Sequence, residues 1–190
     1  MNIEISNEAK LPSRFGKYKI KAFKEGIKEH LAIYKEPFGE VVNVRIHSEC
    51  LTGDAIGSLK CDCRDQLEAS LKYIENHGGM VIYLRQEGRN IGLLNKINAY
   101  SLQDQGFDTI EANHQLGFKA DERTYEIVDE ILSHFGINKI NLLTNNPEKL
   151  MGLKCVEVVS RVPIEVKANE FNKEYLRVKK EQMGHMLKDE

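Results

Sequence analysis

Residues 41–84 read VVNVRIHSECLTGDAIGSLKCDCRDQLEASLKYIENHGGMVIYL. The first eight residues (41–48) alternate, which predicts a strand with Val and Ile on one face and polar side chains on the other. Residues 64–77 carry Leu and Ile at helical spacing, and Gly78-Gly79 predicts where that helix ends. A second strand is predicted at 80–84. Strand, helix and strand in this order predict an α/β fold.

The same alternation of strands and helices continues on both sides of this stretch. Upstream, residues 17–34 predict a β-hairpin that turns at Glu25-Gly26. Downstream, the pattern predicts helices at 91–105, about 121–135 and 171–182, strands at 140–144 and 155–159, and a short helix that begins at Pro147 after an Asn146 cap. We therefore predict a mixed β-sheet flanked by helices in a single domain over residues 1–190, with an N-terminal hairpin region (1–40) and a C-terminal helical tail (165–190).

The composition is that of an ordinary globular protein. Hydrophobic residues make up 41% and charged residues 29% of the 190 residues. A formal net charge of −2 gives no basic field that would attract nucleic acid. The chain has no apolar run of the roughly 20 residues that a membrane helix needs, and its start, MNIEISNEAK, lacks the pattern of a signal peptide. We expect no nucleic-acid partner, no membrane partner and a cytoplasmic location.

Three of the four cysteines cluster as C-x10-C-x-C, at Cys50, Cys61 and Cys63. Thiolates suit zinc, and three protein ligands leave a fourth position for water, as in catalytic zinc sites. The alternative is three unrelated core cysteines, which fits poorly with a polar Asp62 between the last two. The spacing favours a metal site without excluding that alternative.

Other residues of metal-binding type are expected to have structural roles. Asp62 and Asp65 could be hydrogen-bond partners of the metal ligands or simply solvated charges, and the sequence favours solvated charges. Cys155 is interpreted as a small buried residue of a strand. His47 and His114 are not needed by the cysteine cluster, and a polar-face or core role is expected for each.

A polar segment, RQEGRNIG (85–92), follows the strand at 80–84. Arg85 and Arg89 flank Glu87-Gly88 just before a predicted helix, an arrangement that can hold an anion. A carboxylate here could also hold Mg²⁺ beside substrate phosphates. A solvated turn explains the segment equally well, and both of the best-known nucleotide-binding loops are absent from the sequence.

Two further polar segments lie downstream. ANHQLGFKADER (112–123) is predicted to be a long loop, and such loops are often functional. It ends on Asp121 and Arg123 at the expected start of a helix, where Asp121 could simply be a helix cap. TNNPEK (144–149) offers Thr144 and Lys149 to an anion, with little specificity.

Together these motifs resemble one family, the GTP cyclohydrolase II enzymes of riboflavin biosynthesis. The matching segments are EAKLPSRFGKYKI, VRIHSECLTGDAIGSLKCDCRDQLEA, RQEGRNIGLLNKINAYSLQDQGFDTIEANHQLGFKADER, LLTNNPEK, SRVP and KKEQMGHML. The resemblance implies a homodimeric hydrolase of cyclic amidine C–N bonds, with one Zn²⁺ per chain and Mg²⁺ on the triphosphate. It would convert GTP to 2,5-diamino-6-hydroxy-4-(5-phosphoribosylamino)pyrimidine, formate and pyrophosphate, the first committed step toward riboflavin.

The resemblance also implies roles for individual residues. The zinc ligands would be Cys50, Cys61 and Cys63, and Gln66 would contact the guanine side. Further GTP contacts would come from Arg45, Ile46, His47, Ser48, Glu49, Glu87, Gly88, Arg89, Thr109, Thr144 and Lys149, with 87–89 in the triphosphate and metal region.

Three residues would take part in the chemistry itself. The resemblance implies that Tyr100 acts at the ring opening, Asp121 as proton acceptor and Arg123 as nucleophile at the α-phosphate. Because a guanidinium stays protonated in proteins, a charge-stabilising role for Arg123 is at least as reasonable.

Two other functions remain open from the sequence. One is a family member that stops at the formamidopyrimidine, against which Tyr100 argues. The other is a zinc-stabilised nucleotide-binding module, which a fourth protein ligand on the metal would favour. A domain that makes the four-carbon riboflavin precursor is absent from the sequence, so we expect one activity.

Overall fold

A computed structural model describes residues 2–146, 149, 152–164, 166 and 168–187. The strands are β1 (Ile3–Ile5), β2 (Ala9–Ser13), β3 (Gly16–Glu25), β4 (Lys28–Lys35), β5 (Val42–Ser48), β6 (Gly79–Leu84), β7 (Lys139–Leu143) and β8 (Glu157–Val162). The helices among the described residues are α1 (Leu51–Asp54), α2 (Cys63–His77), α3 (Gly92–Gln103), α4 (Thr109–Gln115), α5 (Glu126–His134) and α6 (Lys173–Glu181).

The strands form one mixed sheet in the order β1-β3-β4-β6-β5-β7-β8, with β2 beside β1 on the same edge of β3. Pairing is antiparallel from β1 to β6, and parallel among β6, β5, β7 and β8. This confirms the predicted α/β fold with a mixed sheet in a single domain.

Helices cover both faces of the sheet because β6 is apolar on both sides, with Met80, Ile82 and Leu84 on one face and Val81 on the other. On one face, α5 packs its apolar stripe against the alternating residues of β5, β6 and β7, and this cluster includes Val44, Ile46, Ile82, Leu142 and Ile131. On the other face, α2 places Leu71 and Ile74 against Tyr18, Ile33 and Val81. The predicted faces of β5 and α2 are therefore the ones that pack.

The parallel strands β5, β6 and β7 end at the same edge of the sheet, at Ser48, Leu84 and Leu143. The chain leaves β5 toward β6 on one side, and β7 leads to β8 on the other. A crevice outside the carboxyl ends of such strands is where α/β folds bind ligands. The predicted site residues lie at the end of β5 (45–48) and in the segments after these three strands.

The structure corrects several predicted boundaries. Residues 109–115 form α4, so the predicted loop 112–123 begins only after Gln115. The following helix begins at Glu126 and not near 121, and the last strand begins at Glu157 and not at 155. The short helix predicted from Pro147 lies outside the described residues. Along the described ranges, no helix is long and apolar enough to span a membrane.

Candidate active site at the carboxyl edge of the sheet

A cavity of about 390 Å³ opens at this edge, within the size range of small-molecule sites. Nearly all the predicted site residues line it; Ile46 and Asp121 do not. The predicted residues in its wall are Arg45, His47, Ser48, Glu49, Cys50, Cys61, Cys63, Gln66, Glu87, Gly88, Arg89, Tyr100, Thr109, Arg123, Thr144 and Lys149. Segments far apart in the sequence therefore converge on one site.

The three predicted metal ligands form a cluster in the wall. The sulfur atoms of Cys50, Cys61 and Cys63 all lie within 4.8 Å of one another, and those of Cys50 and Cys61 are 3.7 Å apart. Four ligands about 2.3 Å from a tetrahedral zinc ion would be about 3.8 Å apart. A Cβ atom at Gly53 would lie 2.7 Å from the Cys61 sulfur, so the glycine leaves the room that the cluster occupies.

The loop that carries Cys50 is held by a buried carboxylate. Asp54 accepts a hydrogen bond from the Cys50 amide (3.0 Å) and one from the Tyr83 hydroxyl (2.7 Å). The His47 Nε2 atom lies 3.1 Å from Asp54 Oδ1. Thus His47 positions this loop through Asp54, which agrees with the expected structural role and places its ring beside the cavity.

A buried lysine links the cysteine cluster to Glu87. Lys96 Nζ lies 3.1 Å from the Cys50 sulfur and 2.7 Å from Glu87 Oε1. The other oxygen of Glu87 accepts a hydrogen bond from the Leu51 amide at 2.7 Å. Sequence reasoning missed Lys96, because a lysine in a predicted helix carries no sign of its burial. Its charge stabilises a thiolate at Cys50.

Tyr100 lies beside the cluster. Its hydroxyl is 3.2 Å from Thr52 Oγ1, which in turn is 3.7 Å from the Cys50 sulfur. Burial raises the pKa of Tyr100 to about 12, so the phenol is protonated at neutral pH. It can therefore donate a proton or a hydrogen bond at this end of the cavity.

Positive charge also collects in the wall of the cavity. Arg123 makes hydrogen bonds of 2.9 Å and 3.0 Å from Nε to the two oxygens of Asp121, and its Nη1 lies 3.4 Å from Ser48 Oγ. Burial works against the charge on Asp121, but the hydrogen bonds and charge of Arg123 outweigh it and lower the pKa of that carboxyl. The alternative reading of Asp121 as a helix cap is wrong, because the next helix begins five residues later.

Lys149 and Arg89 add to this charge. Lys149 is buried and donates a hydrogen bond of 2.7 Å to the Ile46 carbonyl, and burial with the charges of Arg45 and Arg123 holds its pKa well below the ordinary value. Arg89 has φ = 57°, a left-handed conformation that costs about 1–3 kcal/mol in a non-glycine residue. This strained turn presents Arg89 to the cavity, whereas Arg85 lies outside it and pairs with Glu49 at 2.8 Å.

The C-terminal segment supplies a wall of the cavity that no predicted residue includes. Residues of α6 and the turn after it line the cavity, among them Tyr175, Lys179 and His185. Burial and the charges of Lys179 and Lys149 lower the pKa of His185 to about 3. In the sequence, this segment was indicated by the resemblance of KKEQMGHML to the family, but that resemblance assigned no role to any of its residues.

Two expectations about acids and cysteines are corrected here. Asp62 is buried and bonded to Gln66 and Lys179, so it is not a solvated charge, whereas Asp65 is exposed as expected. Cys155 is exposed and precedes β8, so it is not a buried strand residue. His114 lies exposed on α4.

The fold and the cavity define an α/β protein with a small-molecule site. The site contains the thiol cluster and a cationic wall, which is formed by Arg89, Arg123 and Lys149. Comparisons with known proteins agree with this class. Residues 4–163 match the family model described as GTP cyclohydrolase II. GTP cyclohydrolase-2 of Campylobacter hominis is 75% identical over 189 residues, which are 100% of this chain and 98% of that protein.

More distant relatives carry the same description. GTP cyclohydrolase-2 of Helicobacter pylori strain Shi470 is 55% identical over 97% of this chain and 98% of its own. The chain belongs to the GTP cyclohydrolase II family, and it is an enzyme of that type, a hydrolase of riboflavin biosynthesis. A crystal structure of a two-domain 3,4-dihydroxy-2-butanone 4-phosphate synthase from A. baumannii aligns with TM-score 0.43 and 18% identity over 84% of this chain and 40% of that one, a likeness too distant to inform function.

Proposed function

We propose that this enzyme hydrolyses GTP to 2,5-diamino-6-hydroxy-4-(5-phosphoribosylamino)pyrimidine, formate and pyrophosphate, in a zinc-dependent reaction. The observation that carries the proposal is one cavity whose wall contains three thiols and Tyr100 together with the cations Arg89, Arg123 and Lys149. A nucleoside triphosphate has two matching ends, a base that must be opened and a polyanion that must be held.

The thiol cluster fits a zinc ion. Its sulfur spacing, the space left by Gly53 and the cationic Lys96 beside Cys50 all suit three thiolates that share one metal. Bound by Cys50, Cys61 and Cys63, one zinc ion per chain would supply a Lewis acid and lower the pKa of a coordinated water. Tyr100 would then serve as proton donor at the guanine carbon that leaves as formate.

The cationic wall fits the triphosphate. Arg89, Arg123 and Lys149 line the cavity, and burial together with the charges of Arg45 and Arg123 lowers the pKa of Lys149, so a bound polyanion would favour its charged form. Arg123, already ionised beside Asp121, would stabilise charge that develops at the α-phosphate while pyrophosphate leaves. Backbone and side chains at 45–49, 87–89, Thr109 and Thr144 would complete the GTP contacts, with Mg²⁺ on the phosphates near Glu87.

We further propose a cytoplasmic homodimer that binds neither nucleic acid nor membranes. Support for the dimer comes from six exposed apolar side chains, which we take as one apolar surface on α1, the loop after it and α3: Leu51, Ile56, Leu59, Leu93, Leu94 and Ile97. We also propose that residues 1–190 are one functional unit, in which the strands between residues 3 and 35 extend the sheet and described residues of the tail, from Phe171 to His185, line the cavity.

The test is an assay of purified protein with GTP and Mg²⁺ in which formate, pyrophosphate and the pyrimidine are measured together. We expect equal amounts of all three. A formamidopyrimidine without formate would identify an enzyme that stops after the first ring opening, and tight GTP binding without any product would identify a binding module.

A further inference from the structure

One buried ion pair connects the C-terminal helix, α6, to Asp62 beside the cysteine cluster. Lys179 Nζ donates a hydrogen bond of 2.9 Å to Asp62 Oδ1. The pair is screened from water, since Lys179 is 9% and Asp62 2% exposed. It joins residues 117 positions apart, and Asp62 lies between two of the proposed metal ligands without taking part in their cluster.

The second oxygen of Asp62 holds the side chain of Gln66. Gln66 Nε2 donates to Asp62 Oδ2 at 2.5 Å, and Gln66 Oε1 accepts from Arg45 Nη2 at 2.6 Å. If the amide were flipped, its NH₂ group would face the guanidinium and its oxygen would face the carboxylate, and both contacts would be repulsive. The amide therefore has one allowed orientation, with one N–H and one oxygen lone pair left for a ligand.

We propose that Lys179 is a specificity-determining positioning residue that acts through Asp62 to fix the Gln66 amide for the guanine edge; this rests on the proposed function. Guanine presents a carbonyl acceptor at position 6 beside an N–H donor at position 1. An amide with one N–H and one lone pair complements that edge. A base with an amino group at position 6 presents a donor beside an acceptor, and would require the flipped amide.

A merely structural role for Lys179 would have a different signature. Two other hydrogen bonds also hold the C-terminal segment. Gln182 Nε2 donates to Asp108 Oδ2 (3.4 Å), and the Met186 amide donates to the Asn145 carbonyl (2.9 Å). If Lys179 only anchored α6, or only attracted phosphates, its loss would affect every nucleoside triphosphate alike. If it positions the amide, its loss changes the choice between bases.

The experiment compares GTP with 2,6-diaminopurine riboside triphosphate, which keeps the 2-amino group and the triphosphate and reverses only the edge at positions 1 and 6. For the zinc-loaded full chain, kcat/KM for GTP and the affinities of both nucleotides in competition are measured. The variants are Lys179→Met and, from the other end of the same link, Asp62→Asn. Lys173→Met is the matched control, because it removes the same charge from an exposed position of α6.

We expect the wild type and Lys173→Met to prefer GTP strongly, by about 10⁴ where a site is built on matched hydrogen bonds. In Asp62→Asn, only Arg45 still fixes the orientation of the amide, and in Lys179→Met the Asp62 carboxylate loses the ammonium that holds it in place against Gln66. We expect the preference to fall at least about tenfold in both variants. A preference that stays at the wild-type value in both variants, with metal content and melting temperature retained, would overturn the inference.

The wild-type arm separates this inference from the proposed function. If the wild type neither binds nor converts GTP, the proposed function fails and the inference falls with it. If Lys179→Met does not fold, Asp62→Asn decides the outcome. This variant preserves the volume of the side chain and keeps the two other hydrogen bonds that hold the C-terminal segment.

Discussion

Two groups of side chains at the cavity differ in their chemistry. Tyr100 stands next to the thiol cluster through Thr52, whereas Arg123 and Asp121 form a buried pair near Ser48. We propose that different residues serve the base and the phosphates, in which case variants of the two groups affect different products.

Tyr100→Phe keeps the ring and removes only the hydroxyl. We expect GTP affinity to change little and formate release to slow by about 10²–10⁴, as is typical when one positioned proton donor is lost. Pyrophosphate release should survive better. Formate and pyrophosphate are measured separately in single-turnover reactions.

Arg123→Ala should have the reverse effect, because it removes charge stabilisation at the phosphate end and leaves Tyr100 and the thiols in place. Arg123→Lys should rescue poorly, since an ammonium lacks the planar fork that holds Asp121. If pyrophosphate must leave first, formate release stops too, and the asymmetry between the two variants reveals the order. Equal loss of both products in both variants would refute the division of roles.

Metal binding can be tested at a single sulfur atom. Cys61→Ser should lose zinc and formate release together, because Cys61 is in the cluster of three thiols. Cys155→Ser is the matched control, since Cys155 is exposed and outside that cluster, and it should retain both. Metal content by mass spectrometry of purified variants gives the answer, and full turnover by a metal-free Cys61→Ser protein would contradict the zinc proposal.

Some of these residues could be predicted from local sequence and others could not. The spacing C-x10-C-x-C indicated its cluster because both ends of the motif lie in one strand–helix connection. The role of Asp62 could not be predicted, because its burial depends on Lys179, a residue 117 positions later. For the same reason, Lys96 looked like any solvent-facing lysine of a helix.

At the scale of elements, the close approach of β5 and β6 depends on Gly79. This residue has φ = 129°, and a Cβ atom there would lie 2.2 Å from the Asn43 carbonyl oxygen. Neither β5 nor β6 can shift freely, because each is paired on both sides. Gly79→Ala must therefore bear both backbone strain and a collision with main chain.

We expect Gly79→Ala to lower the free energy of unfolding by at least about 3 kcal/mol, among the larger single-substitution effects. Gly136→Ala is the control: it has φ = 66° and no described atom within 4 Å of the added Cβ, so only strain of about 1–2 kcal/mol is expected. Urea denaturation measures both. Similar losses in the two variants would show that contact with Asn43 is unimportant.

Element boundaries were predicted well where glycine marks them and poorly elsewhere. Gly136 ended α5 as expected. The start of that helix was placed too early, because Asp121 is engaged by Arg123 and not by a helix N-terminus. Helix α4 had a readable signal that was overlooked: Asp108 and Glu111 form a capping box, which the order Asp-x-x-Glu resembles.

At the scale of the whole molecule, the apolar surface on α1 and α3 predicts self-association. Leu94 is 74% exposed, and a charge at its position would be costly to bury at an interface. Leu94→Glu should convert a dimer to monomers in sedimentation velocity runs. Ile27→Glu, at a position 98% exposed in the β3–β4 turn, should leave the dimer intact. A monomeric wild type would show that the homodimer proposal is wrong.

Topology was the least predictable property at this scale. The alternation of strands and helices gave the α/β class, but β5 lies between β6 and β7 because of packing on both faces of the sheet, which no local pattern records. The strands β1 and β2 were not predicted, since short edge strands with exposed side chains lack a clear alternation of buried and exposed residues.

The link between Lys179 and Asp62 also sets an order of events during synthesis. A ribosome that adds 5–20 residues per second reaches Lys179 roughly 6–23 s after Asp62, since the two are 117 residues apart. During that interval the nascent chain can already gather its thiols, while the carboxylate between them has no ammonium partner. The proposed base-selecting contact of Lys179 can therefore form only after the proposed metal ligands have been synthesised.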